Sequence, residues 1–301
     1  MKIVLAGATG FLGRPLVARL ASAGHQLVVL SRQPAARPAP ARLALWNPHG
    51  PPGPWAAELD GADAVVNLAG ASIASGRWTA ARKRLIVDSR IASTRSLVAA
   101  TLAASRTPAV FLNASAVGYY GPHGDEILTE ESAAGSDFLA RLCVQWEREA
   151  APVGTARTRL AYLRTGLVLE RDGGALRQML LPFRLGAGGP LGSGCQYWPW
   201  IHRQDWVEMV LWALANPALS GPVNLTAPEP VTSREFARDL GRALHRPALL
   251  PAPAFALRLV LGEMADALLL TGQRALPAKA ARLGFRFKYR TLPEALAAIV
   301  G

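Results

Sequence analysis

Met1-Lys2-Ile3-Val4-Leu5-Ala6-Gly7-Ala8-Thr9-Gly10-Phe11-Leu12-Gly13 opens the chain and decides its fold, because a short apolar run leads directly into a turn with glycine at every third position. Gly7, Gly10 and Gly13 omit Cβ where a chain must turn tightly, approach a ligand's oxygens and lay a helix on a strand. The helix that follows would offer unpaired N–H groups to an anion. Three glycines at this spacing are a weak signal alone, and the flanks give it weight. Leu16, Val17 and Leu20 have helical spacing, Gly24 ends that helix, and Gln26 to Leu30 form a second apolar run. The unit reads as strand, helix, strand, with a pyrophosphate site at the edge of the first strand.

The end of the second strand bears on the choice of dinucleotide. An acid there would accept from a ribose 2′-hydroxyl, whereas an arginine would meet a 2′-phosphate. The residues are Ser31 and Arg32, and no Asp or Glu follows before Glu58. NADP(H) is therefore expected rather than NAD(H).

Outward from this unit the alternation continues. Arg42 to Trp46 reads as a small edge strand, Asp63 to Gly70 as a buried parallel strand, and Trp78 to Ala104 as a long helix packing through Leu85, Ile86, Ser89, Ser93, Ser96 and Leu97. Pro108 to Ala114 is a further strand ending at Ser115, followed by the loop Ala116-Val117-Gly118-Tyr119-Tyr120-Gly121. Ser136 to Ala151 is helical, Arg159 to Arg164 and Leu167 to Leu169 are strands, the surroundings of Asp205 to Ala215 are helical, and Pro222 to Thr226 is the last strand. Beyond about residue 170 glycine, proline and aromatic clusters take over, then helices at Ser233 to Leu244 and Pro253 to Leu270. The expected architecture is α/β: a Rossmann-type doubly wound parallel sheet with a smaller C-terminal substrate lobe. The cofactor domain spans residues 1–175, with a last strand contributed by about 222–227, and the lobe spans residues 176–301.

The 301 residues carry a net charge of +12, and only four of the 33 Lys and Arg residues are lysine. The arginines are scattered among alanines and prolines rather than gathered in a stripe, and no recognition-helix, zinc or aromatic-basic motif accompanies them, so nucleic acid is not an expected partner. Cys143 and Cys195 are too few for a disulfide scaffold and lack metal-ligand spacing, so no metal is expected. No apolar run reaches membrane-spanning length, and the first residues become a strand rather than a leader, so the expected setting is cytoplasmic, away from membranes. Ala99, Ala100, Ala103 and Ala104 fit either packing within the monomer or a homodimer contact.

With these stretches assembled the chain resembles the extended or atypical short-chain dehydrogenase/reductases, in particular an NAD(P)-binding, epimerase-like group with a C-terminal domain of unassigned function. The glycine turn carries the resemblance together with Asn67-Leu68-Ala69-Gly70, Arg77-Trp78-Thr79, Asp88-Ser89-Arg90, Ser115 to Gly121, Arg164-Thr165-Gly166, Leu181 to Gly194, Trp200-Ile201-His202, Thr226-Ala227-Pro228 and Gly262-Glu263-Met264. It implies that Gly7, Thr9, Gly10, Phe11, Leu12, Ser31, Arg32, Leu68, Ala69, Arg90 and Arg164 line NADP(H). The wider superfamily pairs a serine with Tyr-x-x-x-Lys, the lysine lowering the phenol's pKa for proton exchange with the substrate. Ser115 matches the serine, but Phe138 stands where the tyrosine would be and Leu142 where the lysine would be.

The replacement candidates are Tyr119 and Tyr120, on the loop expected to overhang the nicotinamide, and His202, which as an unperturbed imidazole would titrate near neutrality. Arg184 and Arg203, with Gly186, Gly188, Gly189, Gly192 and Gly194, read as a basic loop for a substrate phosphate or carboxylate, or else as ion-pair partners of Asp205 and Glu208. Trp198 and Trp200 suit either a stacking platform or an aromatic core. Two functions follow. One is an NADP(H)-dependent oxidoreductase or epimerase-like enzyme for a small hydroxyl or carbonyl substrate, nucleotide sugars included. The other is a catalytically silent NADP(H)-binding protein that reports redox state to a partner.

Overall fold

A computed structural model describes residues 1–34, 41–155 and 157–301. Its framework is a seven-stranded sheet in the order Gly221–Leu225, Arg159–Thr165, β5 (Val110–Ala116), β4 (Ala64–Asn67), β1 (Lys2–Ala6), β2 (Gln26–Ser31), β3 (Arg42–Leu45). All six pairings are parallel. From β1 the chain first builds outward through β2 and β3, then returns to the other side of β1 with β4, so the order reverses between β1 and β4. That reversal opens a crevice above the strands' carboxyl ends, where ligands of such sheets bind.

Alternation along β1 divides the core. Ile3 and Leu5 face α1 (Gly13–Ser22) and α5 (Arg203–Ala215), joining Leu16, Leu20, Trp206 and Val210 in one cluster. Val4 and Ala6 face the other way, toward Trp55, Leu59 and Leu97. Both faces of the sheet are thus covered, which is why its strands read as unbroken apolar runs. The long helix is α2 (Ala80–Ala103), capped by the Thr79 hydroxyl accepting from Arg82 N–H. Its packed face includes Ile86, Ser93, Thr94, Leu97 and Thr101, whereas Leu85, expected on that face, is exposed.

A third core lies in the C-terminal lobe, where α4 (Gly174–Arg184), α6 (Ser233–Ala243) and the helix Leu292–Val300 bury Leu176, Leu180, Phe183, Trp200, Phe236 and Leu296. α4 lies within the stretch after residue 170 that reads as glycine, proline and aromatic clusters. Leu176, Leu180 and Phe183 recur at helical spacing, but the flanking Gly173-Gly174 and Pro182 in the last turn disguise them. The helix expected over Pro253 to Leu270 is broken. Gly262, at φ +63°, ends α7 (Ala254–Leu261), and the chain restarts at Glu263 before a widened π turn over Asp266–Leu270.

Two buried carboxylates tie the chain after residue 278 to α5 and to the edge of the sheet. Asp205 accepts the backbone N–H groups of Lys288 and Tyr289, each at 2.9 Å. Glu130 accepts those of Asn224 and Lys279, each at 3.0 Å. Among the described residues no helix is long and apolar enough to cross a membrane, and no group of His, Cys, Asp and Glu is arranged to hold a metal.

Candidate functional site

The three glycines of the first turn have different reasons to be glycine. Gly7 sits at φ +77°, and a Cβ there would lie 2.5 Å from the carbonyl carbon and oxygen of Leu68, so the turn is pressed against the end of β4. At Gly13 a Cβ would come within 2.5 Å of Ala8 Cα, where α1 crosses the turn. Gly10 is different. It is exposed, and the nearest protein atom to its Cβ position, the Gly7 carbonyl oxygen, is 3.5 Å away. The protein's own packing explains two of the glycines and leaves the third facing the crevice. Leu12 gives α1 no capping side chain and the first turn holds no acid, so the helix N-terminus retains its preference for an anion. Arg14 Nε donates to the Thr9 carbonyl at 2.9 Å and steadies the turn, with Thr9 itself exposed.

Ser31 ends β2 beside this turn and accepts from Gln33 N–H at 3.1 Å, with Arg32 exposed next to it. Leu68 and Ala69 follow β4, where Asn67 Oδ1 accepts from Ala69 N–H at 3.2 Å. Arg90 lies under that loop: its Nη1 donates to the carbonyls of Ala71 and Ile86, each at 3.0 Å, and its guanidinium lies 5.0 Å from the Trp146 ring centre. Burial pushes its pKa down to about 10, so it remains a cation at neutral pH. Phe11 leans the other way. Its ring packs on the Gly173-Gly174 bend, where a Cβ on Gly173 would meet Cε2 at 2.8 Å, and Arg203 lies 5.1 Å above it.

At the end of β5, Ser115 is buried, and its hydroxyl donates to Glu147 Oε1 at 2.7 Å. Glu147 comes from α3 (Phe138–Ala150) and is held bidentate by Arg164, Nε to Oε1 and Nη2 to Oε2, both 2.9 Å. Arg164 Nη1 also donates to Tyr120 Oη at 3.2 Å, and its guanidinium lies 3.4 Å from the centre of the Tyr119 ring. Arg164, expected along the cofactor, is 3% exposed and committed to this ion pair. Glu147 was not among the sequence candidates. A signal existed: it falls on the buried stripe Leu139, Leu142, Cys143, Trp146 and Ala150, and a carboxylate on an apolar helix face requires a partner.

The acid–base candidates separate on burial. Tyr120 is fully buried and donates to Asn224 Oδ1 at 2.7 Å, and burial raises its pKa, which corrects the expectation of a phenol overhanging the crevice. His202 caps α5 by accepting from Gln204 N–H at 3.0 Å on Nδ1 and packs 4.0 Å from the Tyr289 ring. Burial pushes its pKa down to about 4, so it is neutral at neutral pH rather than poised there. Tyr119 is half-buried, edge-on to Tyr120 and stacked on Arg164. Phe138, in the position of the missing tyrosine, packs edge-on against Trp78 at 5.2 Å, with Lys83 Nζ 5.0 Å from its ring and bonded to Glu263 Oε1 at 2.5 Å. Cys143, next to Leu142 on the same buried face, is pushed up to about 12 by burial and is inert as a thiol.

The expected substrate residues are not brought together. Trp200 is a core residue, completely buried, with its indole N–H donating to the Glu229 carbonyl at 2.8 Å, and so offers no stacking face. Arg203 is held by Glu170 Oε2 at 3.1 Å and Asp172 Oδ1 at 2.5 Å, rather than by Asp205 or Glu208. Arg184 ends α4, at the opposite end of that 11-residue helix, about 16 Å long, from the Glu170 and Asp172 that hold Arg203. The two arginines do not form one basic loop.

A family model described as the NAD dependent epimerase/dehydratase family matches residues 3–225, and a domain of unknown function matches residues 252–299. An epimerase family protein of Mycobacterium tuberculosis is 45% identical over 98% of this chain and 96% of its own length. The human epimerase family protein SDR39U1, crystallised with NADPH, superposes with a TM-score of 0.90 at 34% identity, over 100% of this chain and 99% of that one. A nucleoside-diphosphate sugar epimerase from Corynebacterium glutamicum superposes with a TM-score of 0.79 at 33% identity, over 100% of this chain and 58% of that one.

Proposed function

Because this chain belongs to the NAD-dependent epimerase/dehydratase family, we propose that it holds NADP(H) across its glycine turn and is an oxidoreductase or epimerase-like enzyme for a small hydroxyl or carbonyl compound. The observation that carries this reading is the open edge at Gly10, beside two glycines that the protein's own packing accounts for. Arg32 after β2, with no acid beside it, supports the 2′-phosphorylated coenzyme, as does the NADPH bound to the human relative. When bound, NADP(H) supplies or accepts a hydride.

The chain's own part is to orient the substrate oxygen and move its proton. Ser115 has committed its proton to Glu147, so toward a substrate it offers lone pairs and orients a hydroxyl by accepting from it. A carbonyl substrate requires a donor instead, and we assign that role to Tyr119, the half-buried phenol of the loop after β5. Arg164 holds both arms, Ser115 through Glu147 and Tyr119 through its ring. The nucleoside-diphosphate sugar epimerase relative supports a nucleotide-linked sugar as substrate.

A specific observation favours a second reading, a silent NADP(H)-binding protein: Phe138 and Leu142 occupy the positions of the superfamily's proton-transfer pair. The two are separated by following the reduced-nicotinamide absorbance band of NADPH-loaded protein against a panel of carbonyl compounds and nucleotide sugars. A reductase consumes NADPH with at least one compound, an epimerase loaded with the oxidised coenzyme interconverts at least one nucleotide sugar without net change in that band, and either rate falls about 100-fold or more in Tyr119→Phe. No consumption across the panel with NADPH bound, together with no interconversion of the nucleotide sugars by protein loaded with the oxidised coenzyme, establishes the silent reading.

A further inference from the structure

α6 buries Phe236, Ala237 and Leu240 in the lobe's core, which leaves Arg234, Arg238 and Arg242 at i, i+4 and i+8 on its exposed side, about 6 Å apart along the axis. Arg246 continues the row just past the helix. These four arginines line an open cavity of about 800 Å³, together with Gly192, Ser193 and Leu249. Among the described residues no carboxylate lines it. Asp239 lies beneath, bonded to Arg238 at 2.9 Å and 3.8 Å from Arg242.

The side chains are partly fixed in place. Arg234 Nη2 donates to the Ser193 carbonyl at 3.0 Å and Arg246 Nε to the Arg184 carbonyl at 3.1 Å. Each guanidinium has five donors, and these bonds take only a minority of them. Like charges at i, i+4 destabilise a helix, so the row is not a device for holding α6 together. An anion bridging the arginines would remove that repulsion and engage the remaining donors bidentately.

We propose that this cavity is a second anion site, remote from the glycine turn, that takes a small molecule carrying two or more linked phosphoryl groups. Its volume is that of a nucleotide-sized ligand. A single-stranded nucleic acid is a poorer fit, because no Trp, Tyr or Phe among the described residues lines the cavity to stack on bases. A lone carboxylate would leave most of the four cations unmatched. The site stands independently of the cofactor assignment.

The test is a calorimetric titration of the full chain, its glycine turn filled with NADPH, using inorganic tripolyphosphate, ATP and sulfate as probes. Tripolyphosphate binds at least about tenfold tighter than sulfate, and the paired substitution Arg238→Ala with Arg242→Ala weakens it about tenfold or more while one NADPH per chain is retained. A second NADPH per parent chain, lost in that variant, is the same result. ATP binding tighter than tripolyphosphate makes a nucleotide the ligand, and equal binding makes it the phosphate chain. The proposal is overturned if neither polyphosphate binds below about 1 mM, or if the paired variant binds as the parent does.

Discussion

Replacing each glycine of the first turn by alanine separates folding from ligand binding, because the three positions meet different neighbours. At Gly7 the new methyl carries a left-handed backbone penalty of about 1 to 2 kcal/mol, since φ is +77°. It also overlaps the Leu68 carbonyl at 2.5 Å, an overpacking cost of about 1 to 3 kcal/mol, so Gly7→Ala loses about 2 to 5 kcal/mol of stability. Gly13→Ala has no left-handed penalty and loses about 1 to 3 kcal/mol through its overlap with Ala8. Gly10→Ala has 3.5 Å of clearance from the nearest protein atom and an unfolded chain with less freedom to lose, so its stability is unchanged or raised by about 0.4 to 1 kcal/mol. Yet a methyl at Gly10 stands where the pyrophosphate would approach, and NADPH affinity falls about tenfold or more, about 1.4 kcal/mol. Urea denaturation gives the stabilities, and fluorescence titration with NADPH gives the affinities. If Gly10→Ala binds NADPH like the parent, the coenzyme does not lie on this turn. If Gly7→Ala melts like the parent, the close approach to β4 is wrong.

Arg32→Ala weakens NADPH binding about tenfold or more and leaves NADH nearly unchanged, whereas equal losses for both coenzymes refute the 2′-phosphate contact. Glu147→Gln strands the buried Arg164 cation and lowers stability by about 3 to 5 kcal/mol in urea, and a loss below about 1 kcal/mol shows that the pair is not sealed from water. His202 binds protons less readily folded, with its pKa down to about 4, than unfolded, near 6.5, so the unfolded chain takes up more protons between those values. This contribution is complete above about pH 6.5 and is lost as pH falls toward about 4, amounting to about 2 kcal/mol between about pH 7 and pH 5. His202→Asn keeps a helix-capping side chain without the titration, and an unchanged pH slope in that variant rules out the imidazole as its source.

The sheet was legible in the chain because parallel strands covered on both faces must be apolar throughout. Ile3 to Ala6, Leu27 to Leu30 and Ala64 to Val66 therefore announce themselves without knowledge of their neighbours. The glycine turn and the Ser31-Arg32 ending of β2 were legible for a related reason: their chemistry is local to a few consecutive residues. What composition concealed was α4, whose Leu176, Leu180 and Phe183 stripe is short and bounded by residues that usually end helices.

Only the tertiary structure could decide which polar side chains face the crevice. Ser115, Glu147, Arg164, Tyr120 and Asn224 come from separate strands, helices and loops, and each is satisfied by a partner far along the chain. Burial and partnership at such a junction depend on how elements pack, so Tyr119 and Tyr120 read alike in the chain yet differ in the fold, and His202 reads as a titrating group yet is a neutral helix cap. The place of the first turn could be read from consecutive residues alone, because its glycine spacing is local. The packing of α3 against β5 and the strand Arg159–Thr165 decided which hydroxyl keeps its proton, because a buried hydrogen bond has to be closed by whatever the fold brings within reach.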